Sequence, residues 1–458
     1  MPLTPHQQEV QDSALSIIKS GNRLLIKGSA GVGKTYLMNS FIEEARKYLS
    51  PYKTIYCSAP TNKAVAVLKS KVTNTDNVEF ITLHSALKYK RIVDRKTGEV
   101  SFGPVFSERN KPLKGVSMIV VDEASMVGHD LHRDLEHFAN LMGVKVVFVG
   151  DHKQLNPVQE EISPVFMGTS KTYTQEEYQE KGIVPGPDEI LIEKEGSITV
   201  STPYPTVELT EIIRQGDGNP IIDLSRNLKR IWTYEDNLVS NEPKVGYMHS
   251  RDKERVISTL AAINGSDELK YLGYTNQDVD ALNTAVRKRI YGNPRKVEPG
   301  ESIIFNSPYK DLYYTNQELK IEELTVVEQL FYLPYQDRSD KVKLKVYVIN
   351  GKEMEGGWNG VFVVHEEHEK QFRTLAMVTK RACEARNMTW VDRDAFLSQF
   401  ADIKYNHAIT VHKSQGSTYK QVILNISNLS INRDEIEKQR LFYTGVTRAS
   451  ELLILFNN

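Results

Sequence analysis

The chain has 458 residues, a formal net charge of −1, 40% hydrophobic and 26% charged residues, and 9% aromatics, which excludes a mainly disordered chain or a histone-like polycation but leaves room for a local basic groove. Its two cysteines, Cys57 and Cys383, exclude a disulfide framework and a cysteine-rich zinc site. No run approaches the roughly 18 apolar residues of a membrane span, and the start MPLTPHQQ lacks a signal-peptide profile, so a soluble, cytoplasmic protein of about three structural units is expected.

Through the first 160 residues, short apolar runs at 23–27, 54–58, 118–122 and 144–149 read as buried strands. The stretch 34–49 places Leu37, Met38, Phe41, Ile42, Ala45 and Leu49 on one helical face. Such alternation implies a parallel sheet with helices on both faces. Residues 86–113 hold seven Lys/Arg against three Asp/Glu, and their two strand-like runs flank turn residues at 94–98, so a basic hairpin is expected. Residues 159–200 hold nine acidic and three basic residues with interspersed Gly and Pro, which reads as an irregular acidic surface excursion. A second strand set at 271–274, 407–411, 421–426 and 451–456, with a helix over 278–290, makes a second α/β unit. It is interrupted over 301–402 by strand-rich sequence and then a polar helical stretch, expected to form a small β-barrel-like domain with a helical appendage.

Gly28, Ser29, Ala30, Gly31, Val32, Gly33, Lys34 and Thr35 match G-x-x-x-x-G-K-[ST] between a strand and a helix. Glycines let the backbone wrap an anion with its N–H groups, and the helix N-terminus adds its dipole. Lys34 is placed to contact the β- and γ-phosphates of ATP and Thr35 to ligate Mg²⁺. The strand ending in Asp122 and Glu123 complements it: Asp122 for the Mg²⁺ shell, Glu123 to activate water, which favours a hydrolase over a kinase. Gln154, after the next strand, is suited to sensing the γ-phosphate.

Here the chain resembles a superfamily 1 helicase. Residues 3–7 (LTPHQ) resemble the adenine-reading motif, residues 59–64 (APTNKA) and 82–85 (TLHS) motifs Ia and Ib, and 209–215 (LTEIIRQ) motif IV. Tyr274, Thr275 and Asn276 resemble the next motif of the second unit, residues 410–416 (TVHKSQG) motif V, and 443–449 (YTGVTRA) motif VI. The order and wording are most similar to the RecD/Dda-like branch, superfamily 1B, and the compact layout with one pin-like insertion to Dda in particular; the long acidic segment departs from it. The resemblance implies two RecA-like P-loop domains: 1A over 1–85 and 114–203, the pin 1B over 86–113, 2A over 204–300 and 403–458, and 2B over 301–402.

It further implies that Gln7 reads adenine, that Arg214 and Arg448 are arginine fingers, and that Pro60, Thr61, Asn62, His84, Ser85, Asn276, His412, Lys413 and Ser414 contact DNA. Phe102, with Phe106 second, is the candidate wedge in the hairpin, and Trp390 the candidate brace. The expected activity is ATP-dependent 5′→3′ DNA unwinding; a single-strand translocase that displaces proteins and separates strands weakly is the rival. A nucleotide-gated binding module without turnover is disfavoured by Glu123. The expected partners are single-stranded DNA, forked duplex and replication or recombination proteins such as a single-strand-binding protein. A monomer acting in the cytoplasm, of a host cell if phage-encoded, satisfies the pattern, and the nine residues after Ala449 leave no room for a nuclease domain.

Overall fold

The computed structural model describes residues 3–457 apart from 74, 158–159, 182–184, 186–188, 195, 212–218, 233–237, 240–244, 265–267, 311, 334–340 and 355–356. The first unit is built on a parallel sheet in the order Thr206–Leu209, Arg23–Gly28, Lys145–Gly150, Val116–Val121, Thr54–Ala59, Val78–Thr82. The strand Thr206–Leu209 corrects the expected boundary at residue 204: it pairs with Arg23–Gly28 and so belongs to the first unit. Every residue of Val116–Val121 is buried, as a parallel strand covered on both faces requires. The helix Lys34–Arg46 lays Leu37, Met38, Phe41, Ile42 and Ala45 against one face, and His129–Met142 lays Leu135, Phe138 and Ala139 against the other. Strand order sets the loops after Gly28, Val121 and Gly150 side by side at the carboxyl edge, where α/β sheets bind ligands.

The second unit repeats the plan with Leu238–Val239, Gly246–Ser250, Ala449–Phe456, Tyr419–Asn425, Leu269–Gly273 and Ala408–Thr410, parallel except for the first pair. No helix among the described residues is long and apolar enough to cross a membrane.

The insertions bring three corrections. The acidic segment is not irregular: Thr169–Thr174, Ser197–Thr202 and Ile190–Lys194 form an antiparallel sheet in that order. Cross-strand hydroxyl pairs, Ser170–Ser201 at 2.7 Å and Thr172–Thr199 at 2.9 Å, stitch it together. The short helix Gln175–Glu180 on it opens with a capping box from Thr174 and Glu177. The expected barrel-like domain is instead two three-stranded sheets over one core of Ile303, Phe305, Tyr347, Ile349 and Val361. One contains Glu318–Lys320, Ser302–Phe305 and Ile403–Tyr405, the other Leu324–Tyr332, Lys341–Met354 and Gly357–Val364. Finally, Ile403–Tyr405, expected in the second α/β unit, pairs with Ser302–Phe305, so the insertion closes at Tyr405 and not at residue 402. Helices Glu369–Glu384 and Trp390–Leu397 cover the larger sheet through a cluster of Phe331, Phe362, Phe372, Phe396 and Phe400.

A buried ionic collar ties the insertion to its host. Arg287, on the helix Asn276–Tyr291, makes a two-pronged pair with Glu301, its Nε at 2.5 Å and Nη2 at 3.1 Å, and donates to Arg295 O at 2.7 Å. Its guanidinium carbon lies 3.8 Å from the centre of the Tyr405 ring. One side chain thus grips both crossings between the second unit and the insertion. Stripping one partner from such a pair costs about 3–5 kcal/mol because the other charge stays buried. Arg287→Ala is therefore expected to lower the unfolding free energy of the second unit, read from urea titration, by an amount in that range; a loss under about 1 kcal/mol, the level of an exposed pair, would show that the junction does not rely on this pair.

Candidate nucleotide site and nucleic-acid groove

The loop after Gly28 is shaped by backbone that only glycine adopts cheaply. Gly31 and Gly33 have φ of 85° and 81°, and Gly33 caps the helix Lys34–Arg46. A Cβ on Gly28 would come within 2.7 Å of Val32 Cγ2. Lys34 Nζ donates to Gly28 O at 2.7 Å and Ser29 O at 2.9 Å, lying along the loop. Thr35 stands in the first turn of that helix. Gln7 is buried; its Oε1 accepts from Thr4 N at 3.2 Å, while Nε2 has no partner among the described residues. An unmatched buried amide costs about 1–3 kcal/mol, and a base acceptor would offset that cost.

The carboxylates follow at the end of Val116–Val121. Desolvation and then the charge of Glu123 push the Asp122 carboxyl up to about 6, against a smaller pull from Lys34. A cation would restore its ionised form, so Asp122 with Thr35 suits Mg²⁺ on chemical grounds. Glu123 sits in left-handed backbone at φ 54°, a strained position for a side chain of this size. Gln154 is buried with its Oε1 unmatched among the described residues. The orphaned Gln154 amide and the destabilised Asp122 carboxyl thus stand on neighbouring loops at one edge of the sheet.

From the second unit the reaching residue is Tyr443, which sequence reasoning quoted but did not assign. Its hydroxyl donates to Asp151 Oδ2 at 2.7 Å and accepts from Ala30 N at 3.1 Å. Beside it, Thr444 Oγ1 accepts from Leu155 N at 3.2 Å and Gln415 Nε2 donates to Leu155 O at 3.0 Å. All three lie inside stretches already singled out, but nothing in a string of letters tells which member of a motif faces the partner unit. Arg448, expected as a finger, is buried and gives Nε to Thr444 O at 3.2 Å, Nη1 to Ser417 O at 2.9 Å and Nη2 to Thr447 Oγ1 at 3.4 Å. Three of its five N–H groups are taken within its own unit, and one on each Nη is left over. Arg214 lies outside the described residues.

A cleft of about 1230 Å³ runs between the first unit, the hairpin and the insertion, lined by Pro60, Thr61, Asn62, His84, Ser85 and Phe102 together with Lys90, Arg91, Lys310, Tyr314, Trp390 and Arg393. Six expected contact residues therefore meet in one place, joined by Trp390, the expected brace, and by Lys90, Arg91, Lys310, Tyr314 and Arg393, which sequence reasoning did not assign. Thr61 caps its helix, accepting from Ala64 N at 3.2 Å, and Ser85 Oγ accepts from Thr82 Oγ1 at 2.9 Å. His84 is held neutral by burial, edge-on to Tyr89 at 5.5 Å. Asn276, His412 and Lys413 do not line this cleft; they stand on the second unit beside Lys404, Glu437 and Asn306 respectively. Ser414 is a correction: it is fully buried and its hydroxyl donates to Val411 O at 2.7 Å, so it is closed to DNA.

The hairpin pairs Tyr89–Val93 with Val100–Pro104 and sets Phe102 opposite Arg91, in mid-strand and not at the tip. The tip turns on Asp94, whose Oδ1 accepts from Lys96 N and Thr97 N at 2.8 and 2.7 Å. Trp390 closes over it: Nε1 donates to Lys96 O at 3.0 Å, and a Cβ on Gly98 would meet the indole at 2.3 Å. Arg91 pairs with Asp394 on the same helix. Phe106 is at the base, edge-on to Phe138 at 5.1 Å, and does not line the cleft.

Residues 3–172 match the AAA domain family and residues 405–456 the UvrD-like helicase C-terminal domain. An uncharacterized protein of Acanthamoeba polyphaga mimivirus is 25% identical over 93% of each chain. The ATP-dependent DNA helicase dda of Enterobacteria phage T4 is 24% identical over 97% of each. A solved structure of two coordinating Pif1 helicases at forked duplex DNA shares the fold at 16% identity and TM-score 0.50, over 99% of this chain and 92% of that one. The chain is thus similar to DNA helicases named Dda and RecD in sequence and to Pif1 in fold, with two α/β domains, and the likeness is not to Dda alone.

If Glu123 activates the attacking water, Glu123→Gln should cut ATP hydrolysis by about 10²–10⁴-fold, the usual span for a general base, while a fluorescent ATP analogue still binds. Lys34→Ala should abolish hydrolysis. Normal turnover in the Glu123 variant would assign the water to another residue.

Proposed function

We propose that the chain is an ATP-driven 5′→3′ DNA helicase that moves on single-stranded DNA and opens the duplex ahead of it. The observation carrying this reading is that the phosphate loop of one α/β unit is touched by Tyr443 of the other, so that a nucleotide in that loop bears on both units at once. Their relative position is what a translocating motor must vary. The likeness to Dda- and Pif1-type helicases supports the same conclusion.

ATP would lie on the Gly28–Thr35 loop with its base at Gln7. Lys34 would neutralise the β- and γ-phosphates and Gln154 would sit near the terminal one. Thr35 and Asp122 would hold Mg²⁺, whose charge screens the phosphates. Glu123 takes the proton of the attacking water. Arg214 and Arg448 are proposed as the arginine fingers, Arg448 with the N–H groups that its bonds to Thr444, Ser417 and Thr447 leave over. Single-stranded DNA would follow Thr61, Asn62, His84 and Ser85 in the first unit and Asn276, His412 and Lys413 in the second. Forked DNA would bring the duplex to the hairpin, and a single-strand-binding protein is a fitting partner upstream. A monomer suffices for all of this.

The braced hairpin tip favours strand separation over mere translocation. A two-stranded ribbon alone is marginal, and Trp390 supplies a third surface. Unwinding is expected on a 5′-tailed duplex and not on its 3′-tailed counterpart; activity confined to the 3′ tail would reject the direction and leave the motor. Phe102→Ala should lower base pairs opened per ATP while leaving DNA-stimulated hydrolysis intact, since base stacking is worth about 1–3 kcal/mol and the residue lies off the nucleotide loop. Trp390→Ala should do the same by loosening the tip. A parallel fall of hydrolysis and unwinding in both variants would show that they only support the fold.

A further inference from the structure

The Ser29–Ala30 peptide serves two masters. Its carbonyl accepts the Lys34 ammonium at 2.9 Å, and its N–H goes to the Tyr443 hydroxyl at 3.1 Å. The cation that meets the outer phosphates is therefore one peptide away from a side chain of the other unit. Tyr443 hands its own proton to Asp151, which is buried and whose other oxygen accepts from Lys153 N at 3.0 Å. Burial and then the Asp151 charge push the phenol far up, so it stays a donor toward Asp151 at any working pH.

Tyr443 lies on the helix Glu435–Val446. The same helix carries Glu437, whose Oε1 is 3.6 Å from His412 Nε2. Six residues along an α-helix is about 9 Å of rigid rod. One end of the rod thus rests on the phosphate loop and the other on a residue proposed to grip the nucleic acid. The rod is pinned near Tyr443, because the neighbouring Thr444 and the Leu155 peg hold it to the loop after Gly150.

We propose that the Tyr443 hydroxyl is a positioning residue that reports occupancy of the phosphate loop, through the helix Glu435–Val446, to the His412 grip on single-stranded DNA. A phosphate oxygen seated in the loop competes for the Ala30 N–H, and a charged acceptor forms a hydrogen bond about twice as strong as a neutral one. The hydroxyl yields the N–H, keeps Asp151, and the helix swings about Leu155. Loss of the terminal phosphate returns the N–H to Tyr443. Coupling of this kind needs a ligand that distinguishes two arrangements of the protein, which competition for a single donor provides.

The inference rests on the helicase reading, and one titration separates the two. Binding of a labelled oligo-dT is measured by anisotropy with Mg-ADP and with a non-hydrolysable ATP analogue. In the unaltered protein the two affinities should differ by about 5-fold or more, the lower range of allosteric couplings. Equal affinities there would reject the motor reading itself. Tyr443→Phe removes the hydroxyl and keeps the ring, and should bring the ratio below about 2-fold while a fluorescent ATP analogue still binds. Asp151→Ala breaks the chain from its other end and should do the same, and combining both changes should add nothing further. A ratio that survives Tyr443→Phe, an additive double variant, or loss of nucleotide binding together with the ratio would each overturn the proposal.

Discussion

Leu155 holds the molecule's working parts together. It belongs to the first unit by sequence, yet its side chain is buried in the hydrophobic cluster of the second, among Leu424, Leu441 and Val446. Its own N–H and carbonyl are taken by Thr444 and Gln415. Burying a leucine contributes about 1.5–3 kcal/mol and each net hydrogen bond about 1 kcal/mol. A ligand bound at micromolar affinity releases about 8 kcal/mol. The peg is strong enough to define a pivot and weak enough for a nucleotide to rearrange what surrounds it. Gln154 is the adjacent residue, so any rotation about Leu155 moves an amide at the nucleotide edge.

The other joints differ in kind. The Arg287–Glu301 collar is buried and two-pronged, so the inserted domain travels with the second unit. Lys63 on the helix Asn62–Lys71 crosses to Glu318 of the insertion at 2.7 Å. Burial pushes the Glu318 carboxyl up, but Lys270 and Lys63 overcome it and hold it at about 2. The contacts of the hairpin with the insertion are more exposed: Arg91 with Asp394, and Trp390 with Lys96. Exposed pairs contribute about 0–1 kcal/mol, whereas the indole over Gly98 is a matter of shape. The joint where the chain crosses between domains is thus buried and ionic, whereas the contacts that border the cleft are exposed.

Four strands of each large sheet and the shape of the loop after Gly28 were legible because local rules write them: apolar runs of strand length and glycines at positive φ; Val78–Thr82, Thr206–Leu209, Leu238–Val239 and Gly246–Ser250 were not. The role of Trp390 was legible too, from charge and the marginal stability of a lone ribbon. What stayed dark depends on relative orientation. Arg448 and Tyr443 stand five residues apart in one motif, and only packing decides that the arginine turns inward to Ser417 while the tyrosine crosses to Ala30. Ser414 is read as polar and accessible from its neighbours, yet a short turn folds its hydroxyl back on Val411. The acidic segment misled by composition: glycine, proline and charge mask an alternation of Thr, Ser, Ile and Val that pairs across three strands.

That segment is also rooted at the edge that carries Asp122 and Glu123. Glu123 occupies left-handed backbone, which for a non-glycine costs on the order of 1–3 kcal/mol, and the turn after it must be held from outside. The fully buried Ser163 supplies the hold, its hydroxyl lying 2.9 Å from Ala124 O and 2.7 Å from Val127 O. Glu160 adds a second tie by accepting from His129 N at 2.8 Å, at the start of the next helix. Both anchors come from the first residues of the acidic stretch. The added sheet therefore begins as a clamp on the turn that aims Glu123, and the strain in that turn persists because the clamp is built into the same continuous chain.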